Sequence, residues 1–134
     1  MKHYTTEEWI AVSQRGPDDI CWREADGEDC IIDVPAGNPH YLYGLRGDKG
    51  GSITVTGDGG GDAIRAGDGD GDARRRGNGD GNAWRDGTGH GIAVRAGDGN
   101  GNAVRDGSGN GYAWHDGTGL LNGKHPKAWE MLEG

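Results

Sequence analysis

The chain has 134 residues, including 30 glycines and no phenylalanine, and only 31% of it is hydrophobic. So few large apolar side chains cannot build an ordinary globular core, so the glycines belong either to a disordered segment or to a repeating backbone scaffold. The net charge of −8, from 14 Lys and Arg against 22 Asp and Glu, disfavours nucleic acid as a direct partner and favours a basic one.

The first eight residues lack the basic and apolar regions of a signal peptide, and no apolar run reaches transmembrane length. A cytosolic protein without membrane association is expected. Two cysteines, Cys21 and Cys30, do not make a disulfide framework there. Thr5 to Val12 opens like a capped helix, with Thr5 and Glu8 at capping-box spacing, and Gly16-Pro17 ends it. Ile20-Cys21-Trp22-Arg23 and Cys30-Ile31-Ile32-Asp33-Val34 flank Ala25-Asp26-Gly27-Glu28 and read as a hairpin. Tyr41-Leu42-Tyr43 and Ser52 to Thr56 read as two further strands. Residues 1–56 are thus expected to form a small α+β cap. They hold ten acids and five basic residues, so they carry −5 of the charge.

From Gly61 the chain falls into blocks of ten: GDAIRAGDGD, GDARRRGNGD, GNAWRDGTGH, GIAVRAGDGN, GNAVRDGSGN and GYAWHDGTGL. Each has Gly at positions one, seven and nine and Ala at three; position five is Arg, then His115 in the last block. A short fixed period is the mark of a solenoid. Ten residues are too few for a helical pair, so a mainly β fold is expected over 57–119, a β-solenoid with one coil per block. Strand side chains alternate between faces, which sends Gly and Ala into a narrow bore and the even positions outward. Arginine at position five is expected at a corner, since no such bore could hold a guanidinium. Coils about 4.8 Å apart would make a rod roughly 30 Å long. Within 120–134, Pro126 to Glu133 reads as a short capping helix that lays Trp129 and Leu132 over the last coil.

Position four reads Ile64, Arg74, Trp84, Val94, Val104, Trp114. Facing outward, the apolar members (Ile64, Trp84, Val94, Val104 and Trp114) form a candidate binding stripe, for another protein or for a second copy in a homodimer. The acidic residues Asp18, Asp19, Glu24, Asp26, Glu28 and Asp29 form a second candidate surface. Oxygen ligands at alternate positions, above all Asp68, Asp70 and Asp72, resemble the calcium-binding β-roll repeats of secreted bacterial toxins. The period of ten and the loss of carboxylates at His90-Gly91-Ile92 and Asn110-Gly111-Tyr112 depart from that pattern, so no metal or other cofactor is expected. His90 and His115 merely replace repeat residues, and no nucleophile–base–orienter set appears, which excludes catalysis from the expectation.

Gly71-Asp72-Ala73-Arg74-Arg75-Arg76 and Gly81-Asn82-Ala83-Trp84-Arg85-Asp86 resemble the GDGxGDAxR decapeptide arrays of bacteriophage and prophage proteins. The resemblance covers 57–119 and transfers no function residue by residue. It implies a phage setting and the host cytoplasm, where small acidic proteins often inhibit host defence, as anti-CRISPR and anti-restriction proteins do. A non-enzymatic inhibitor of a host nucleic-acid-handling protein is therefore expected. A structural rod in a virion or at a surface is the alternative.

Overall fold

The computed structural model describes residues 2–16, 19–39, 41–77, 79–96, 103–105, 113–115 and 129–130, with side chains at all but 105, 113–115 and 129–130. In chain order the elements are β1 (Lys2–Thr5), α1 (Thr6–Val12), β2 (Gln14–Arg15), β3 (Ile20–Glu24), β4 (Cys30–Asp33), β5 (Tyr41–Arg46), β6 (Ile53–Thr56) and β7 (Gly61–Ala66). Three-residue strands follow as β8 (Ala73–Arg75), β9 (Ala83–Arg85), β10 (Ala93–Arg95), β11 (Ala103–Arg105) and β12 (Ala113–His115), then β13 (Trp129–Glu130).

The strands form two sheets. The first runs β1-β4-β6-β8-β10-β12-β13, the second β11-β9-β7-β5-β3-β2. From β3 to β12 successive strands alternate between the sheets and every pairing is parallel, so the chain winds as a β-solenoid. Antiparallel strands end the stack on opposite diagonals, β2 against β3 and β13 against β12.

The coil is twice the expected length. Ala63 lies beside Ala83 and then Ala103, while Ala73 lies beside Ala93 and then Ala113. Each decapeptide is thus half a turn, one strand and one corner, and the six blocks contribute three coils, about 14 Å of rod, rather than six. A ten-residue circuit would need two corners for every strand pair, and its single Gly-x-Gly corner allows only one.

Two further expectations are corrected. The strands of the proposed hairpin, β3 and β4, do not pair but join different sheets. Trp129 and Glu130, placed in a capping helix, pair instead as a strand; the rest of 126–133 lies outside the described residues. The start of the first helix stands as read, but α1 ends at Val12, with Ser13 as its C-cap and Gln14–Arg15 in β2, before Gly16-Pro17 is reached. Thr5 Oγ1 accepts the Glu8 N–H at 3.2 Å and Glu8 Oε1 accepts the Thr5 N–H at 2.9 Å, closing the capping box. Helix α1 buries Trp9 against the first coils, and the indole N–H donates to the Cys21 carbonyl at 3.0 Å.

The interior changes character along the axis. Cys21, Cys30, Ile32, Val34, Tyr43, Leu45, Ile53 and Val55 fill the first coils, and a row of alanines continues the clustered core from Ala63 to Ala103 among the described residues. The larger correction concerns position five. Arg65, Arg75, Arg85 and Arg95 are not at corners but wholly inside, each 0% exposed. They obey the alternation, as the buried first, third and fifth residues of β7 show.

The glycine corners make this possible. Arg75 Nε donates to the Gly61 carbonyl at 2.7 Å and Nη2 to Gly59 at 2.5 Å; Nη1 reaches Val55 at 3.4 Å, Gly57 at 3.5 Å and the Arg76 carbonyl. Arg65 and Arg85 repeat the pattern on Gly51 and Lys49, and on Gly71 and Gly69. At Arg95, Nη2 donates to Gly79 at 2.7 Å and Nη1 to Ala96 at 2.5 Å, whereas Nε has no partner among the described residues. The planar fork donates to carbonyls that turn inward at each corner, adding at Val55 and Gly57 to the backbone N–H each already accepts. A Cβ at Gly81 would lie 1.8 Å from the Gly61 carbonyl oxygen and 2.7 Å from Arg75 Nε, so the guanidinium and its glycine corner require each other.

Candidate binding face

With half a turn per block, the position-four column cannot be one stripe. Ile64, Trp84 and Val104 align on the outside of the second sheet, whereas Arg74, Val94 and Trp114 share a cross-strand row of the first, where Val94 is buried rather than exposed as expected. On the first sheet Arg74, paired with Asp72, stands between Thr54 and Val94 and interrupts the apolar run. The Trp114 side chain lies outside the described residues.

The second sheet is where an apolar face gathers. Trp22, Gly44, Ile64 and Trp84 lie in one cross-strand row, and Ile20 and Leu42 in the next. Trp22 packs flat over Gly44, where a Cβ would come within 2.4 Å of the indole. Ile20, Trp22, Leu42, Ile64 and Trp84, with the side chains of Asp62 and Asp86, line a depression of about 370 Å³. Trp84 is 43% exposed, although alanine suffices for the interior beside it. The early members of this face escape the decapeptide pattern for a physical reason. Strand β3 meets β5 at a spacing of 22 (Ile20 beside Leu42), and only from β5 onward is the spacing 20 (Leu42 beside Asp62). The alternation of Ile20, Trp22 and Glu24 was the available signal.

A larger depression of about 490 Å³ lies beside the start of α1, among Thr5, Glu7, Asp33, Asn38 and Asp58. On one side Asn38 donates to Thr6 Oγ1 at 3.2 Å, which lies 3.1 Å from the Tyr43 hydroxyl. It has no aromatic lining, and we favour the second-sheet face.

Part of the acidic surface is paired within the chain itself. Asp26 and Glu28 lie 2.6 Å and 3.7 Å from Lys2 Nζ, and Glu24 lies 3.3 Å from Arg46. Asp29 accepts the Ser52 N–H at 2.9 Å. Asp19 is exposed in a left-handed backbone conformation, and Asp18 lies outside the described residues.

Four carboxylates of the repeat bond across to the next coil. Asp72 accepts the Ile92 N–H, Asp62 the Asn82 N–H and Asp70 the His90 N–H, each at 2.9–3.0 Å and each one coil later. Asp68 accepts from the Thr88 hydroxyl. Asp68, Asp70 and Asp72 therefore belong to three separate ladders. Among the described residues no three His, Cys, Asp or Glu side chains converge as a metal-binding group. Nor is any helix among them long and apolar enough to cross a membrane.

The buried arginines keep the interior electropositive. Desolvation lowers Arg75 to about 10, with repulsion from Arg95 next, against the pull of Asp62, Tyr43 and Asp80. Arg65 and Arg95 are lowered by the same burial. At about 10, Arg75 remains a cation near neutrality, enclosed by carbonyl dipoles.

Comparison of the chain with family models, curated proteins and solved structures returned no match.

Proposed function

We propose that the protein is a non-enzymatic binding module that docks on another protein through the outer face of its second sheet. The observation that carries the reading is Trp84, an indole standing outward in line with Ile64 and Trp22 over an apolar depression. In a chain so poor in large apolar side chains, an indole used outside rather than inside favours an interface. The use of Asp62, Asp70 and Asp72 as backbone acceptors supports a scaffold rather than a reaction centre.

The net charge of −8 favours a basic target. We propose a host nucleic-acid-handling protein as that target, blocked by a phage-encoded inhibitor of the anti-CRISPR or anti-restriction type. Because Lys2 and Arg46 pair with Asp26, Glu28 and Glu24, contact through the apolar face is favoured over nucleic-acid mimicry. Tagged protein incubated with nuclease-treated bacterial lysate should retain one nucleic-acid-handling protein at a fixed ratio, and Trp84→Ala should release it. Capture unaffected by Trp84→Ala, or no capture, would contradict the reading. A protein that binds only itself would support the second reading, a structural rod, which the continuous parallel stacking of coils favours.

A further inference from the structure

The second sheet already holds a guanidinium on its outer face. Arg46 stacks over the Trp22 ring, its Cζ 5.2 Å from the centroid, and its Nε lies 3.3 Å from the carboxylate of Glu24, two residues after that tryptophan. The coil repeats two of these three parts. Trp84 is followed two residues later by Asp86, on the same outer face and exposed. In that arrangement the cation comes from the following coil, Arg46 lying beside Glu24. Strand β11 follows β9 in the same register, with Val104 beside Trp84, and the residue twenty after Asp86 is Asp106. The sequence thus supplies a carboxylate, and not a cation, where Arg46 would recur. Asp62 lines the same depression and adds negative potential, while its Oδ1 accepts the Asn82 N–H.

We infer that the Trp84–Asp86 pair receives an arginine side chain from the partner, reproducing from outside the Trp22–Arg46–Glu24 arrangement the chain makes for itself. Arginine is the specific choice, because its planar guanidinium stacks on an indole while its N–H fork meets a carboxylate. The inference rests on reading this face as the contact surface.

The test uses the whole protein and a blocked Gly-Arg-Gly peptide, followed through the indole N–H resonances. Trp84 is assigned with Trp84→Phe, and the buried Trp9 signal reports that each variant is folded. The Trp84 resonance should shift with a dissociation constant of roughly tens of millimolar, as expected of one exposed cation–π and ion-pair contact. Asp86→Asn should weaken binding at least about threefold, and so should raised salt. The neutral citrulline peptide should leave the resonance in place. No shift, or equal shifts from arginine and citrulline, would overturn the inference. If Trp84→Ala releases a captured partner while the indole ignores arginine, the inference falls and the contact face stands. If arginine binds but no partner is captured, the site stands and the binding-module reading falls.

Discussion

A guanidinium buried with no carboxylate against it is tolerable only if its donors are matched, and at Arg75 the corner carbonyls do the matching. Substitution should therefore discriminate sharply between neighbouring arginines. Arg75→Lys leaves a point charge that cannot reach the same carbonyls and should cost about 2–4 kcal/mol in urea unfolding. Arg74→Ala removes a partly exposed ion pair with Asp72 and should cost less than about 1 kcal/mol. A corner location for Arg75 would make the two alike. The cysteines give a second residue-scale test. Burial raises the Cys30 thiol above its ordinary 9.0, so the unfolded thiol loses its proton first as pH rises. Stability that is fully present below about pH 9 is then lost as pH climbs through the folded value. Tyr43 acts in the same sense above 10. Arg75, lowered to about 10, acts in the opposite sense only beyond that. Cys30→Ala should flatten part of the decline between pH 8 and 10, measured by urea unfolding at each pH; an unchanged slope would place the thiol in solvent.

Glycine serves two different purposes in these elements, and substitution separates them. At Gly81 the obstacle is contact, because the added Cβ meets the Gly61 carbonyl oxygen and Arg75 Nε; Gly81→Ala should cost more than about 3 kcal/mol. Gly27 has open space around it and a φ of +92°, so Gly27→Ala should cost only the backbone strain, about 1–2 kcal/mol. Equal losses in thermal unfolding would contradict the stacked corners. The elements also mark how far sequence reasoning reaches. The capping box at Thr5 and Glu8, the strands read at 41–43 and 52–56 and the outward even positions of β7 were legible because each depends on local spacing, although the first of those strands runs on to Arg46. The interior arginines were not, because a lone guanidinium reads as too costly to bury until the carbonyls of the preceding corners are in place. The binding face was half legible: Ile64, Trp84 and Val104 repeat with the decapeptide, whereas Ile20, Trp22 and Leu42 join them through a coil of a different length.

For the molecule as a whole, the decisive quantity is the length of one turn. Chemically similar blocks made ten residues look like a full coil, yet the two sheets need only look alike, and parity cannot say whether successive blocks stack or face each other. That choice sets whether the position-four residues make one stripe or two faces, and so which surface a partner meets. It is also what permits a charged interior: each guanidinium lies within the corner of the coil before it, 14 to 18 residues back along the chain. The most direct measurement is excimer emission from pyrene-labelled cysteine pairs, in a background where Cys21 and Cys30 are replaced by alanine. Arg76 and Ala96 stand on adjacent coils of one sheet, about 4.8 Å apart along the stack, whereas Ala66 and Arg76 stand on opposite sheets. The twenty-residue coil requires strong excimer emission from the 76/96 pair and little from 66/76. Strong emission from 66/76 would restore the ten-residue coil and remove both the interior arginines and the binding face built on them.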